Sequence, residues 1–287
     1  MMISKKIFLE EVRKRKGLIP ASIDIAAQSI TWRDFGKYHF YEGFFSQSLR
    51  YFEALSKGDI FSCTTHLDVL EDDYLLDDTI HPSGFIFHSG RCGSTLMSKV
   101  LATSKKNVVI SESEPHNDIL HLLANSEGKI DCTEKNKKIY RNLVLAMGRK
   151  RSENYQHHFI KFTSYNILFF DFIHAALPDV PAIFISRDTE EIMQSFHKNP
   201  PGWLNTENEF LQRITNSTDA RKIIEKFISS ATLYDNELLH KVDYKMLRAE
   251  HLPQLLQYLK YSPDAGEIET MKKQFLFDSK TGKIFGE

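Results

Sequence analysis

The junction at residues 85–97 constrains this chain more than any other stretch. An apolar run, Phe85-Ile86-Phe87-His88, leads at once into Ser89-Gly90-Arg91-Cys92-Gly93-Ser94-Thr95 and then into the apolar start Leu96-Met97. A buried strand feeding a glycine loop that opens a helix belongs to α/β folds, where helices cover the faces of a mostly parallel sheet. Glycine lets the backbone curl so that successive N–H groups converge, and the free N–H groups and dipole of the next helix add positive potential at that point. Ser94 and Thr95 add hydroxyl donors, and Arg91 adds a charge-assisted fork for phosphate or sulfate oxygens. The loop is expected to hold an anion, although a simple capped turn uses the same residue types.

The rest of the chain fits one sizeable α/β domain with an appended segment, since single cores stop growing near roughly 250–300 residues and this chain has 287. A formal net charge of −1 gives no global pull toward nucleic acid or anionic membrane, so an anionic ligand must be held by local donors. Cys63, Cys92 and Cys132 form neither a disulfide framework nor a metal spacing, and the histidines show no metal-ligating pattern, so no metal is expected. Met1–Pro20 lacks the apolar core of a signal peptide and no later run reaches membrane-span length, which predicts a cytoplasmic protein. Ile7, Phe8 and Val12 among Lys5, Lys6, Arg13 and Arg15 read as a solvated first helix rather than a membrane anchor.

Period and punctuation divide the chain near residue 82. Residues 1–82 are expected to be a largely helical segment that packs on the core and shapes a ligand pocket, with Phe45, Leu49, Phe52 and Leu55 at helical spacing. Residues 83–287 are expected to form the α/β domain. Its strands are predicted at Phe85–His88, Val108–Ile110, Phe159–Phe162, Ala182–Ser186 and His240–Val242, and its helices at Thr95–Thr103, Lys135–Arg149, Asn166–Ala176 and Thr189–His197, with two or three more between Thr206 and Tyr258. Ligands of such sheets sit at the carboxyl ends of the strands.

The loop departs from the Walker A pattern G-x-x-x-x-G-K-[ST]: the first glycine position is His88 and the lysine position is Ser94. Phosphoryl transfer normally enlists that lysine and Mg²⁺, whereas a sulfuryl group carries less charge, so sulfuryl transfer is favoured. Here the chain resembles the sulfotransferases that use 3'-phosphoadenylyl sulfate (PAPS), in particular a bacterial branch whose phosphosulfate loop reads G-R-C-G-S-T-L. The likeness runs from about Gly84 to Tyr244.

The resemblance implies a P-loop-type, three-layer fold and a set of roles. Arg91, Cys92, Gly93, Ser94 and Thr95 would hold the 5'-phosphosulfate. Ile183-Phe184-Ile185-Ser186-Arg187-Asp188, with Ser195 in the following helix, matches the family's 3'-phosphate site, so Arg187 and Ser195 would bind there. Ser113-Glu114-Pro115 places a carboxylate at the acceptor rim, making Glu114 the expected base, with Glu112 and His116 as alternatives. Lys161, in an apolar strand, matches the lysine that tyrosylprotein sulfotransferases keep near the sulfate, though a strand-edge lysine can also reach out to water. Tyr244 matches a late tyrosine near the 3'-phosphate or adenine, Phe277–Lys283 a closing segment over the nucleotide, and Asn199-Pro200-Pro201-Gly202-Trp203 a lid or a packed corner. The catalytic histidine and loop lysine of eukaryotic cytosolic sulfotransferases have no match. The implied partner is a small-molecule acceptor, without nucleic acid or membrane. An ATP-dependent phosphotransferase and a non-catalytic nucleotide-binding protein are the competing readings.

Overall fold

The computed structural model describes residues 2–58, 60–73, 77–198, 200–204 and 208–277. Asn199, the Trp203 side chain and residues 278–287, which include 278–283 of the expected closing segment, lie outside them.

Five strands form one parallel sheet: β4 (Pro82–His88), β5 (Asn107–Ser111), β6 (His157–Lys161), β7 (Ala182–Ser186) and β8 (His240–Asp243), in the order β5-β6-β4-β7-β8. Every pairing within it is parallel. The first of these strands in the chain therefore lies at the centre, and the loop after it opens at the middle of the sheet's carboxyl edge. Parallel strands are buried on both faces, so they read as apolar runs, which is why this half was legible.

Helices cover both faces. On one, Phe85, Phe87, Ile160, Phe162 and Phe184 pack with α4 (Glu114–Leu123), α5 (Glu134–Met147), α6 (Phe170–Ala176) and α9 (Ala220–Thr232). On the other, Ile86, Val109, Phe159, Ile183 and Ile185 pack with α3 (Ser94–Ala102), α10 (Leu252–Tyr258) and α11 (Ala265–Lys273). This is the three-layer α/β arrangement expected. Two further helices, α7 (Thr189–Lys198) and α8 (Glu209–Thr215), complete the domain. The helix expected over Asn166–Ala176 is a 3-10 turn, Ser164–Phe169, running into α6. Helix α4 was not expected; Pro115 at its start, a position where the missing N–H costs nothing, was its signal.

The first 82 residues correct the expectation of a largely helical segment. They hold α1 (Lys5–Lys14) and α2 (Phe45–Leu55), but also an antiparallel sheet of β1 (Leu18–Asp24), β2 (Ser29–Asp34) and β3 (Ser62–His66), in the order β1-β2-β3. The burial of Ile30 and Trp32 against the partly exposed Thr31 and Arg33 follows period two, not 3.6. Pro20 and a register shift between Pro20 and Ser22 break the alternation in β1. On the sheet lies α1, its Phe8 ring 4.5 Å from that of Trp32 and Phe8 and Val12 buried, while Leu55 at the end of α2 is 71% exposed rather than core. This segment shares its apolar core with the domain: Phe8, Ile30 and Trp32 belong to the cluster of Phe85 and Phe87, and Ile19, Phe35, Phe40 and Phe45 to that of Val108 and Ile110.

Candidate functional site

The loop leaves β4 through His88 and is pinned to the neighbouring strand where the Ser89 N–H donates to the Ile185 carbonyl (3.0 Å). Three of its next four residues lie in the left-handed region: Gly90 (φ 88°), Arg91 (φ 50°) and Gly93 (φ 80°). For a non-glycine residue such as Arg91 that conformation costs about 1–2 kcal/mol, and strain of this kind concentrates at functional sites. Gly93 is required twice, because a β-carbon there would also lie 2.6 Å from Leu247 Cδ1. Among the described residues no backbone carbonyl takes the N–H of Cys92, Gly93 or Thr95. They sit at the N-terminus of α3, where an anion is favoured. Cys92 is fully buried, and its thiol donates to the Ile185 carbonyl (3.2 Å), tying the loop to β7.

Beneath the loop lies Lys161, the last residue of β6 and 0% exposed, so it does not reach out to water. Its ammonium reaches Glu112 Oε1 at 2.7 Å and donates to the Gly43 carbonyl (3.2 Å) and to Thr95 Oγ1 (3.3 Å), with the Phe44 ring 4.8 Å away. A lysine has three protons to donate, and each has a direction here. Glu112 adopts φ 47°, its N–H donating to the Lys161 carbonyl (2.7 Å). Its other neighbour is His88, whose Nε2 is 3.4 Å from the same Oε1 and whose Nδ1 accepts the Gly90 N–H (3.0 Å). Burial lowers the proton affinity of His88 and the groups of Cys92 and Glu112 raise it further, to about 9. The Gly90 N–H, however, occupies the lone pair a second proton would need, so in this geometry the ring is neutral with its proton on Nε2.

The three candidate bases now separate. Burial raises the Glu112 carboxyl, but the Lys161 ammonium at 2.7 Å more than reverses this and holds it below the ordinary carboxylate range, so it is an ionised counter-ion already occupied. His116 is buried, takes or gives a hydrogen bond with Ser113 Oγ (2.7 Å), and is pushed down to about 3 by burial. Glu114 stands at the start of α4; burial raises its carboxyl, with Ser46 and Arg50 opposing, and its Oε2 has no hydrogen-bond partner among the described residues. Glu114 and His116 each keep an atom without a hydrogen-bond partner among the described residues, but of the three only Glu114 joins this to the raised proton affinity that a base requires.

The second motif arrives at the same place. Arg187, just past β7, sends Nη1 to the Arg91 carbonyl (3.4 Å) and Nε to Glu191, and its guanidinium lies 4.5 Å over the Tyr244 ring. Tyr244 in turn flanks Gly93, its ring 3.3 Å from where a β-carbon would stand. Arg91, Gly93, Arg187 and Tyr244 are therefore one cluster, whereas Ser195 sits half-buried on α7 with no described contact to Arg187. Its neighbour Phe196 approaches Gly90.

Sequence reasoning missed His88 as a partner of Glu112, and it missed Ser89, Ser111, Thr163 and Ser164. These four buried hydroxyls follow or end β4, β5 and β6, and none has a hydrogen-bond partner among the described residues. An unpaired buried polar group costs about 1–3 kcal/mol, so such a set along one sheet edge fits a polar ligand. The adjacent Thr163-Ser164 pair directly after a strand was the available signal. No family model matches this chain, and no curated protein matches it either.

Proposed function

We propose that the chain is a sulfotransferase that moves the sulfuryl group of PAPS to a hydroxyl or amine of a small molecule and releases adenosine 3',5'-bisphosphate. The observation that carries this reading is the meeting of Arg187 with the Arg91 carbonyl, because it brings together two motifs far apart in sequence, as the two ends of one anion site would require. In that reaction the loop N–H groups and Arg91 grip the 5' end, and Arg187 grips the 3'-phosphate, with Ser195 reaching it from α7. Glu114 takes the proton of the acceptor as its oxygen or nitrogen bonds to sulfur. Lys161, at Thr95, and the loop N–H groups take up charge gathering on the bridging oxygen as the S–O bond breaks. The reaction as proposed requires no metal, and the protein is read as cytoplasmic.

One observation favours a second reading, an ATP-dependent phosphotransferase: Lys161 brings to the loop, from another strand, the ammonium that Ser94 replaces in the Walker pattern. Its charge is balanced by Glu112 at 2.7 Å, which suits a sulfuryl group better than a triphosphate. Thermal stabilisation separates the two, because a ligand that binds only the folded state raises the melting point, by about 2.7 kcal/mol of stability at 100 times its Kd. Adenosine 3',5'-bisphosphate without Mg²⁺ is expected to stabilise the protein more than ATP with Mg²⁺; the opposite order sinks the proposal. If the bisphosphate stabilises but no acceptor in a broad panel is sulfated, the protein binds the nucleotide without transferring from it.

A further inference from the structure

The partly buried carboxylate Glu112 joins two groups that belong to different parts of the site. On one side is Lys161, 2.7 Å from Oε1. On the other is His88, which is 5% exposed and whose Nε2 faces the same oxygen at 3.4 Å. That second contact is too long and misaligned to count as a hydrogen bond, and Nε2 has no other partner among the described residues. The opposite ring nitrogen is already committed to the loop, where Nδ1 accepts the Gly90 N–H at 3.0 Å. A path of direct contacts thus runs from the loop backbone through His88 and Glu112 to the Lys161 ammonium, and Lys161 returns to the loop at Thr95 Oγ1.

We infer that His88 is a positioning residue that couples the conformation of the loop to the placement of Lys161, so that closure of the loop around a phosphosulfate and delivery of the ammonium to it are one event. This rests on the sulfotransferase reading. The local chemistry gives the device its direction. Gly90 lies in the chain between the ring and the N–H groups at the start of α3, so an anion drawing those groups in would pull on the Gly90 N–H that holds the ring. The His88 Nε2–H then closes its long contact to Glu112, as hydrogen bonds at such sites tighten when the ligand is present. Glu112 is itself held by its own N–H on the Lys161 carbonyl and cannot follow the loop independently. With one ammonium proton on the fixed carboxylate and another on the Gly43 carbonyl, the third is left for Thr95 and the group the loop encloses.

The test compares the affinities of PAPS and of adenosine 3',5'-bisphosphate, measured by titration calorimetry on the full chain. Both ligands report on the nucleotide site, but only PAPS carries the sulfuryl group that Lys161 would meet. His88→Asn keeps an oxygen able to accept the Gly90 N–H and loses the reach to Glu112. It is expected to bind the bisphosphate within about twofold of the unaltered protein and PAPS about tenfold more weakly, the loss of one hydrogen bond to a charged group. In a Lys161→Met background the same His88→Asn change is expected to have no further effect on PAPS, because its route of action is gone. Equal weakening of both ligands, an unchanged preference for PAPS, or independent multiplication of the His88 and Lys161 effects would each overturn the inference. Failure of the unaltered protein to bind either ligand is a different result: it removes the sulfotransferase reading itself.

Discussion

Gly93 is a position where backbone conformation and packing impose the same residue, with φ 80° on one count and Leu247 and Tyr244 pressed against the missing side chain on the other. Gly93→Ala is expected to lose about 1–2 kcal/mol from the backbone alone, more with the displacement of Leu247, and to weaken the bisphosphate. Denaturant titration with and without ligand reads both effects. At Glu114 the expectation is kinetic: Glu114→Gln lowers kcat by about 10²–10⁴ with nucleotide affinity unchanged, whereas Arg187→Ala weakens the nucleotide. The sign of the pH dependence follows from burial. The Glu114 carboxyl keeps its proton to higher pH than an ordinary carboxylate, so turnover falls as pH drops through that raised value, and this acid limb disappears in the glutamine variant. Glu112 behaves oppositely. Its value is depressed from the ordinary 4.5 to about 2, so the stability it contributes is fully present above 4.5 and is lost as pH falls toward 2. Glu112→Leu leaves Lys161 buried without its counter-ion, and an uncompensated buried charge of this kind costs about 3–5 kcal/mol, measurable as a shift of the denaturation midpoint.

Among the elements, legibility followed burial. The parallel strands were readable because burial on both faces makes each an apolar run, and Ala182–Ser186 has the predicted bounds. The antiparallel sheet was hidden by Pro20 and its register shift in β1 and by the scarcity of apolar residues in Ser62-Cys63-Thr64-Thr65-His66. Locally, nothing marks β3 as a strand; its burial of Cys63 and the hydrogen bond from Trp32 Nε1 to Thr65 Oγ1 (2.9 Å) arise only once β2 is beside it. The site shows the same division. The loop and Arg187 were legible because each is a contiguous motif, but the partnership of Lys161 with Glu112 joins residues that are neighbours only through the pairing of β5 with β6, where Ser111 stands opposite Lys161. The stretch entering α2 lies over the site and belongs to the N-terminal segment expected to shape a pocket, but Gly43 itself was not singled out. A β-carbon at Gly43 would stand 2.7 Å from Thr95 Cγ2, so Gly43→Val is expected to push this stretch off the loop and to impair PAPS binding more than it impairs folding. Affinity and melting temperature measured on the same variant distinguish the two.

For the whole molecule the shared apolar clusters matter most. Trp32, Ile30 and Phe8 pack in one cluster with Phe85 and Phe87 of the central strand, so the N-terminal sheet is part of the core rather than an appendage to it. Unfolding is therefore expected as a single calorimetric transition with equal calorimetric and van't Hoff enthalpies, and two separated transitions would contradict the shared core. The same unity extends to the sheet edge that bears the site. His88 and Ile185 are paired across adjacent strands, and the two arginine-bearing segments start directly beyond them. The strands they leave are held one hydrogen-bonded spacing apart, about 4.7–4.9 Å, so both segments start side by side from one sheet edge. For the proposed nucleotide this means that its two phosphates would be met from neighbouring strands of one sheet, so the arginines that meet them would share a single rigid foundation.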